Sequence, residues 1–464
     1  MANVLETIVQ DKRQEIAQRK ITLPLASFID GLTPSDRSFY EALNQPNAGY
    51  ILECKKASPS KGLIRENFDL DAIIAAYGPY AACISVLTDE KYFQGKFDYL
   101  EYVRARVSQP VINKDFFVDP YQVYLARYHN ADAILLMLSV LDDAQYRELA
   151  ELAESLQLDV LTEVSNEQEV HRALALKAKI IGINNRDLRD LSTNLATTEK
   201  LVPLVKQAKH ACLIISESGI YSHHDVRRLA PLVDGFLVGS ALMAEDDMTR
   251  AVKQLIYGTV KVCGITRSED AALVAQIGAS FAGFIFYGRS KRYVTLAKAR
   301  QISQAVPFAY VGVFVNAPVD VVVEYAHSLN LAAVQLHGQE DQAYINQLRP
   351  QLGADCQIWL AKGVQQSLPL LAEEGVDKFV LDCQIGLQSG GTGQTFDWQL
   401  LHDPQLNNVG KDKIMLAGGI NPQNIQEAAR LALGGIDLNS GVESAPGIKS
   451  AIKIQQAFEQ LRQY

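Results

Sequence analysis

The chain has 464 residues, of which 48% are hydrophobic and 21% are charged, a composition typical of globular proteins with large cores. This length predicts two or three domains, although a single barrel can occupy about 200–250 residues. The formal net charge of −9 argues against a broad nucleic-acid-binding face, but it does not exclude anionic small substrates.

The N-terminal residues 1–20 carry many charges and no apolar stretch, so we expect no signal peptide. The longest apolar runs, such as residues 134–138, are too short to cross a bilayer, and we expect no membrane partner. The six cysteines include no C-x-x-C pair and no Cys/His cluster at metal spacing. That usage predicts reduced thiols in a cytoplasmic protein, with neither a metal site nor a disulfide frame.

A helix is predicted over residues 4–19, because Leu5, Ile8 and Lys12 belong to a repeat of three- and four-residue steps with charges between them. The proline-containing residues 22–47 would connect this helix to the first strand. Short β-rich runs then alternate with helical patterns, which is typical of a parallel sheet covered by helices. The predicted strands of this half are residues 50–54, 83–87, 110–113, 133–138, 159–162, 180–183, 212–216 and 235–238.

The second half repeats the same alternation. Its predicted strands are residues 260–263, 282–286, 310–315, 333–336, 358–361, 378–381, 413–416 and 435–438. Asn316 and Asn421, each followed closely by proline, predict helix starts with asparagine as the cap. We therefore predict an α/β chain of two tandem (β/α)8 barrels, residues 1–255 with an N-terminal helical extension and residues 256–464 without one.

Glycine-containing turns follow the seventh and eighth predicted strands of both halves. They are Ser218-Gly219 and Gly239-Ser240 in the first half, and Gly418-Gly419 and Ser440-Gly441 in the second. In barrels, these two loops often bind a phosphate through backbone N–H groups, and glycine lets the backbone approach the anion. Tight turns that serve packing alone are the alternative, but matched spacing in both halves favours phosphate binding.

Polar residues at the carboxyl ends of barrel strands are expected to point into a common site. In the first half they are Glu53, Lys55, Lys114, Glu163, Asn184 and Glu217. Alternating acids and lysines beside a phosphate loop indicate acid–base chemistry on an anionic sugar. Any single one of them could instead be an ion pair between neighbouring strands.

The motifs around these side chains resemble the signatures of indole-3-glycerol-phosphate synthase, in order, over residues 1–255. They are ECKKASPSKG at 53–62, KDF at 114–116, LTEV at 161–164, INNRDL at 183–188 and SESGI at 216–220. The resemblance implies closure of the indole ring of 1-(2-carboxyphenylamino)-1-deoxyribulose 5-phosphate, with loss of carbon dioxide and water. It implies no cofactor.

The same resemblance implies chemical roles. Lys114 would be the general acid that protonates the substrate carbonyl oxygen during ring closure, since an ammonium also stabilises oxyanion charge. Glu163 and Lys55 would carry the later proton transfers of dehydration. The residues that would orient these groups and the substrate hydroxyls are Glu53, Asn184 and Glu217.

Binding roles follow from the resemblance as well. Ser58 and Arg186 would bind the anthranilate carboxylate, and Phe116 would contact the aromatic ring. The phosphate would be held by Ser218, Gly219, Gly239 and Ser240.

The second half resembles phosphoribosylanthranilate isomerase across residues 256–464, including the sequence GTGQTFDW at 391–398. The implied reaction is an Amadori rearrangement of N-(5-phosphoribosyl)anthranilate, whose product is the substrate of the synthase. Arg292 and Gln335 would bind this substrate. The phosphate loops would be formed by Gly418, Gly419, Ser440 and Gly441.

The rearrangement requires an acid that opens the furanose ring and a base that removes the C2 proton. Asp382 fits the acid, and Cys263, at a strand end before a glycine turn, fits the base. A free thiol titrates near about 8.5, and a neighbouring cation such as Arg292 would lower that pKa. Taken alone, Cys263 would be more simply explained as core packing, and His337 as a structural histidine.

Other interpretations stay open at this stage. A different pair of phosphosugar barrels, such as an epimerase and an aldolase, would need metal ligands or a Schiff-base lysine. A scaffold with one decayed barrel is disfavoured by acid, base and phosphate loops in both halves. We therefore predict a bifunctional enzyme of tryptophan biosynthesis that acts on small phosphorylated substrates without a cofactor, a metal or a nucleic-acid partner, and we expect a monomer.

Overall fold

The computed structural model describes residues 4–187, 190–385, 388–389 and 394–464. Contacts between residues divide the chain into two compact units, Met1–Val252 and Lys253–Tyr464. The division falls close to the boundary that the sequence predicts between residues 255 and 256.

The first unit contains a closed barrel of eight parallel strands. Its strands are β1 Gly49–Cys54, β2 Cys83–Leu87, β3 Val111–Lys114, β4 Ala133–Met137, β5 Asp159–Val164, β6 Ile180–Asn184, β7 Leu213–Glu217 and β8 Gly235–Val238. Each strand pairs with its neighbours in sequence, and β8 returns to β1 with Gly49 opposite Gly235. All residues of β1, β2, β4, β6, β7 and β8 are buried, which explains their nearly continuous apolar sequences.

The second unit repeats this architecture. Its strands are β9 Val260–Cys263, β10 Phe281–Ile285, β11 Tyr310–Phe314, β12 Ala333–Leu336, β13 Gln357–Val364, β14 Lys378–Ile385, β15 Ile414–Leu416 and β16 Gly435–Leu438. Parallel pairing runs around the ring, with β13 joined to β14 and β16 joined to β9. The predicted tandem (β/α)8 fold is therefore confirmed, with strand ends that differ from the prediction by up to four residues.

Helices connect the strands in both units. In the first they are Val4–Thr22, Phe39–Leu43, Leu70–Tyr77, Glu90–Phe93, Phe97–Arg104, Pro120–Tyr128, Asp143–Ser155, Glu167–Ala175, Ala196–Gln207, His223–Leu229 and Ser240–Met243, with short 3-10 helices at Leu25–Ser27 and Ile29–Gly31. The helix Met248–Tyr257 leads into the second unit. There the helices are Ser268–Ile277, Leu296–Ala305, Val319–Leu329, Gln342–Leu348, Gln405–Val409, Ile425–Arg430 and Ala451–Leu461, with 3-10 helices at Arg349–Gln351, Trp398–His402, Lys411–Lys413 and Ser440–Val442. No helix in the described part of the chain is both long and apolar enough to cross a membrane.

Two predicted helix caps are wrong. The helix Val319–Leu329 starts directly after Pro318, and the Oδ1 atom of Asn316 accepts instead from the N–H of Gln339 at 2.7 Å. Asn421 also lies outside its helix, where its Oδ1 atom accepts from the N–H of Gln423 at 2.9 Å. Asn421 therefore stabilises a local turn, a use of this side chain that competes with capping, whereas Asn316 joins its loop to the loop that contains Gln339.

The N-terminal helix Val4–Thr22 is anchored by a buried charge. Leu5 and Ile8 are buried, as their spacing predicts, and so is Lys12, which is only 1% exposed. The Nζ atom of Lys12 lies 2.8 Å from Asp89 and 2.9 Å from Asp115, in the loops that follow β2 and β3. Burial alone would lower the pKa of Lys12, but the two carboxylates outweigh it and raise that pKa. The helix is therefore tied by charge to the carboxyl end of the barrel.

Candidate active sites

The polar side chains predicted at the mouth of the first barrel lie close together. Lys114, at the end of β3, donates from Nζ to Oε2 of Glu217 at 2.9 Å and lies 3.4 Å from Oε2 of Glu163. Glu163 also accepts a hydrogen bond from Nδ2 of Asn184 at 2.9 Å. The ends of four strands thus supply one connected cluster of an ammonium, two carboxyl groups and an amide.

Burial and mutual charge set the protonation of this cluster. Burial raises the pKa of Glu217 to about 7, because the ammonium of Lys114 only partly offsets the loss of water. Burial would lower the pKa of Lys114, but Glu217 and Glu163 outweigh it and raise that pKa above its ordinary value. At neutral pH the site therefore holds a charged lysine beside a carboxyl group that titrates there.

Glu53 and Lys55 form a second pair at the end of β1. Their side chains are ion-paired, and Oγ of Ser85 donates to Oε2 of Glu53 at 3.3 Å. Burial opposes ionisation of Glu53, but the charges of Lys55 and Lys114 outweigh it and lower the pKa of this carboxyl group. Glu53 is therefore a fixed negative charge in the wall of the pocket.

One cavity joins these charged groups to an apolar wall. Leu5 and Ile8 of the N-terminal helix line it together with Phe93 and Phe116, whose ring centroids lie 6.1 Å apart. The predicted polar residues on its lining are Ser58, Arg186, Ser218 and Ser240. A flat aromatic acid with a polar tail matches this division into apolar and charged sides.

The two predicted phosphate loops of this barrel line a second cavity, which shares Lys55 and Arg186 with the first. Ser218 and Gly219 both have left-handed backbone, with φ of 65° and 78°. A Cβ atom at Gly239 would lie 2.5 Å from Oε1 of Glu53, so the backbone comes closer there than any larger residue permits. Glycine backbone that lines a cavity in this way can approach an anion closely.

In the second barrel, Cys263 ends β9 and is buried. Burial raises the pKa of the thiol, and the charges of Lys261 and Lys449 oppose that change without cancelling it. Lys261 is fully buried on the same strand, and its Nζ atom donates to Oδ2 of Asp437 at 2.6 Å and to Oε1 of Gln335 at 2.8 Å. The main cation that counteracts the burial of Cys263 is therefore Lys261, and the thiol is still harder to ionise than a free one.

Asp382 lies on β14 in the same barrel. Burial raises its pKa to about 7, and the negative charge of Asp437 adds to the shift. Its Oδ1 atom accepts from the N–H of Cys383 at 2.7 Å, and its Oδ2 atom lies 3.8 Å from Nε2 of His337. A carboxyl group with this pKa is available as an acid near neutral pH.

The side chain of Arg292 is ion-paired with the carboxylate of Glu443. Its Nε and Nη2 atoms donate to the two oxygens of Glu443 at 2.9 and 2.7 Å. The same Glu443 accepts from Nζ of Lys449 at 2.9 Å. This network fixes the guanidinium beside the Gly264 turn, where a Cβ atom would lie 2.7 Å from Cδ of Arg292.

The glycine turns of the second barrel are as crowded as those of the first. Gly418 and Gly419 have φ of 87° and 65°, and a Cβ atom at Gly418 would lie 2.8 Å from Oδ1 of Asp382. A Cβ atom at Gly441, next to Ser440, would lie 2.0 Å from the carbonyl oxygen of Ile420. Two of the quoted motifs are only partly described. Residues 391–393 of GTGQTFDW and residue 188 of INNRDL lie outside the described residues.

Several charged residues of these sites were missed by sequence reasoning. The missed residues are Lys12, Lys261, Asp437, Glu443 and Lys449. Lys12 and Lys261 could have been found in the sequence, because each occupies a position of the repeat whose neighbours in the pattern are apolar. Such a position is buried, and a buried lysine is normally paired with an acid. Among the described residues, no three His, Cys, Asp or Glu side chains are grouped so as to hold a metal ion.

Comparisons with known proteins divide the chain in the same way. Residues 5–255 match the family model of indole-3-glycerol phosphate synthase, and residues 260–460 match that of N-(5'phosphoribosyl)anthranilate (PRA) isomerase. The tryptophan biosynthesis protein TrpCF of Vibrio cholerae is 56% identical, over 100% of this chain and 97% of that protein. The protein of the same name from Salmonella typhi is 50% identical, over 100% of both chains. A crystal structure of phosphoribosyl anthranilate isomerase from Thermus thermophilus is 32% identical over 44% of this chain and 98% of that chain, with a TM-score of 0.39.

Proposed function

The chain belongs to the TrpCF family, which joins an indole-3-glycerol phosphate synthase to a phosphoribosylanthranilate isomerase, and we propose that each reaction is carried out by the residue cluster at the mouth of its own barrel. The second barrel converts N-(5-phosphoribosyl)anthranilate to 1-(2-carboxyphenylamino)-1-deoxyribulose 5-phosphate. The first barrel closes the indole ring of that product. The convergence of Lys114 with Glu163 and Glu217 is the observation that carries the assignment of the synthase site.

Ring closure places negative charge on the substrate carbonyl oxygen as the new carbon–carbon bond forms. Lys114 is protonated at neutral pH, since two carboxyl groups raise its pKa, and it can deliver a proton to that oxygen. Glu217 and Glu163 hold the ammonium in place through the contacts at 2.9 and 3.4 Å. Lys114 is therefore the general acid of the first step.

Loss of water requires a second acid and a base. Glu163 is fixed by Asn184, and Lys55 is fixed by Glu53, so each has a partner that holds its orientation. These two groups carry the remaining proton transfers, and Glu217, whose pKa is about 7, exchanges protons with them near neutral pH. The aromatic ring packs on Leu5, Ile8 and Phe116, with its carboxylate towards Ser58 and Arg186.

In the isomerase, Asp382 gives its proton to the ring oxygen and so opens the furanose. Cys263 then removes the C2 proton of the iminium ion. Because burial raises the pKa of the thiol, only a small fraction of the enzyme carries the thiolate at neutral pH. Arg292 binds substrate beside them, and the Gly418 turn supports the phosphate.

The same enzyme acts as a cytoplasmic monomer in this proposal. The proposal of a reducing compartment is supported by the spacing of the six cysteines, which include no C-x-x-C pair. Each barrel contains its own acid, its own base and its own glycine turns, so no second copy of the chain is required to complete either site.

The experiment compares two variants of the full chain, because the reaction of the unaltered barrel shows whether each substitution acts on one site only, while circular dichroism reports the fold. Turnover is followed by the fluorescence of the anthranilate-type substrates. Lys114→Met removes synthase activity and leaves isomerase activity near the wild-type level, and Asp382→Asn does the reverse. Parallel loss of both activities in either variant, with the fold retained by circular dichroism, would refute the assignment of one site to each barrel.

A further inference from the structure

A line of hydrogen-bonded groups crosses the interior of the second barrel from Asp437 to His337, whose ring lies next to Asp382. Lys261 lies at its centre, with no exposed surface, and donates to Asp437 and to Oε1 of Gln335. The other end of the Gln335 amide lies 3.1 Å from Nδ1 of His337. Nε2 of the same imidazole ring lies 3.8 Å from Oδ2 of Asp382.

The chemistry of these groups fixes the direction of each bond. An ammonium only donates, so the atom of Gln335 that faces Lys261 must be the amide oxygen. The amide nitrogen is then the atom that faces His337, and it only donates as well. Nδ1 of His337 must therefore accept, and the proton of the neutral ring is on Nε2, the nitrogen that faces Asp382.

From this geometry we propose that Lys261 and Gln335 are positioning residues that hold His337 in its Nε2–H tautomer, so that His337 stabilises the carboxylate formed on Asp382 when the acid gives up its proton. The inference rests on the proposed role of Asp382 as the isomerase acid. Hydrogen bonds of catalytic groups often tighten only when substrate is bound, and the 3.8 Å separation is within reach of such a change.

A general acid must hold its proton before the reaction and must be stable as a carboxylate after the proton has left. In this arrangement, different neighbours of Asp382 meet the two requirements. Before the reaction, burial and the charge of Asp437 keep the proton on Asp382. When the proton leaves, the N–H of Cys383 already donates to Oδ1, and Nε2 of His337 lies 3.8 Å from Oδ2, close enough to donate once the site tightens. Donors that are in place before charge develops stabilise it without a cost of reorganisation.

The assignment also gives Gln335 a role other than direct substrate binding. It is 2% exposed, and its two amide atoms are engaged by Lys261 and His337. Because Lys261 fixes the amide oxygen of Gln335, the amide nitrogen is held in position to donate to His337. We therefore assign it to the support of His337.

The first test reads the tautomer directly and does not depend on activity. The full chain is labelled with 15N-histidine, and long-range 1H–15N correlation spectra distinguish protonated from unprotonated ring nitrogens. The signals of His337 are identified by their loss in His337→Gln. We expect the proton on Nε2 in the wild type and on Nδ1 in Gln335→Glu, since a carboxylate at residue 335 can only accept. A proton on Nδ1, or on both nitrogens, in the wild type overturns the inference.

The second test measures isomerase kinetics on the same variants. We expect His337→Leu and Gln335→Glu to lower kcat about tenfold to a hundredfold with a smaller change in KM, since one donor to a developing charge is lost. His337→Gln restores at least tenfold of the kcat lost in His337→Leu, because its amide nitrogen can take the place of Nε2. The matched control is Gln301→Glu, the same change on the exposed face of the helix Leu296–Ala305.

The outcomes of the two tests separate the inference from the proposed function. If Asp382→Asn retains isomerase activity, the proposed acid is wrong whatever the tautomer of His337. If Asp382→Asn is inactive but His337→Leu and His337→Gln have equal kcat, the acid stands and the role of His337 is refuted. The fluorescence of Trp359 and Trp398, both in the second unit, reports in every variant that the isomerase barrel has folded.

Discussion

Lys114 donates a 2.9 Å hydrogen bond to Glu217 from the end of β3 to the end of β7, inside the first barrel. The two residues are 103 positions apart in sequence, and only closure of the barrel brings them together. Burial keeps Glu217 near its titration midpoint at neutral pH, while Lys114 remains charged. One side chain is thus a permanent cation, and its partner is a carboxyl group with a pKa of about 7, a pairing suited to the proton transfers that we propose.

Lys114→Met tests whether the ammonium of Lys114 is the general acid of the synthase reaction. The variant keeps most of the side-chain volume but removes the acid, so we expect synthase kcat to fall by about 10²–10⁴-fold. Isomerase activity of the same sample should stay within experimental error of the wild type. If synthase activity fell less than about tenfold, the acid would have to be sought elsewhere in the pocket, first at Lys55.

Cys263→Ala and Asp382→Asn test the isomerase pair. Each removes a group that takes part in proton transfer, and we expect each to lower isomerase kcat by at least about 10²-fold. Synthase activity, measured with 1-(2-carboxyphenylamino)-1-deoxyribulose 5-phosphate supplied directly, should be retained. Loss of synthase turnover in a folded Cys263→Ala protein would contradict the two-site assignment.

The pH dependence of the isomerase follows from the raised pKa values of both groups. The acid Asp382 has a pKa of about 7, and burial raises that of the base Cys263 above its ordinary value, so the active form has a protonated acid and an ionised base. The population of that form is nearly constant between the two pKa values and falls on either side. We therefore expect kcat/KM to fall about tenfold per unit as pH drops below about 7, and to stay level well into the alkaline range.

A measured kcat/KM that instead declined as pH rose through 7 would mean that Cys263 is already ionised, against the effect of its burial. The substrate phosphate also titrates, near about pH 6. Titration of the free substrate, followed by its 31P resonance, shows how much of the acid limb comes from that group. The charged groups that influence the pKa of Asp382 are Asp437 and Lys261, and the titratable ring of His337 lies 3.8 Å away.

The sequence predicted the two barrels well because alternation of apolar runs and helices is a local property. It placed the ends of the runs less accurately: the strand predicted at residues 358–361 extends over Gln357–Val364, where its polar end still pairs with β14. Strand ends are set by the neighbouring strand, which the local pattern does not contain. Site residues at strand ends were predictable for the same reason that the barrel was.

The charges that support the sites were not predictable from local pattern. Lys261 has its partners 74 and 176 positions away, at Gln335 and Asp437. Asp437 lies beside Lys261 on the paired strand β16, and Gln335 reaches it from β12, which is not a neighbour of β9, so both contacts arise only when the barrel closes. Lys12 is similar, since Asp89 and Asp115 reach it from two loops of the barrel. A lysine within an apolar pattern predicts that an acidic partner exists, but the pattern does not identify which residue it is.

Glycine substitutions should affect each reaction separately. Gly239→Ala sets a Cβ atom 2.5 Å from Oε1 of Glu53, and Gly441→Ala sets one 2.0 Å from the carbonyl oxygen of Ile420. We expect the first to raise KM for the synthase substrate and the second to raise KM for the isomerase substrate, each by about tenfold or more, because the backbone must withdraw from the phosphate. Gly31→Ala is the control, since its Cβ atom meets nothing within 4 Å. An unchanged KM in Gly239→Ala would place the synthase phosphate elsewhere.

Lys12→Met tests whether the buried ion pair holds the N-terminal helix on the synthase pocket. Removing the ammonium leaves Asp89 and Asp115 buried without their cation, which costs about 3–5 kcal/mol of stability in the first barrel. Since Leu5 and Ile8 of this helix line the cavity, we also expect a higher KM for the synthase substrate. Isomerase activity should not change.

The unfolding of the two barrels can be followed separately in the intact chain. The two tryptophans are Trp359 and Trp398, both in the second unit, so their fluorescence in urea reports that barrel, while residual synthase activity reports the first. We expect Lys12→Met to lower the urea midpoint of synthase activity and to leave the fluorescence midpoint unchanged. Lys20→Met is the matched control, because its pair with Asp119 at 2.7 Å is largely exposed and worth only about 0–1 kcal/mol. Equal midpoints for the two variants would show that the buried pair of Lys12 does not anchor the helix.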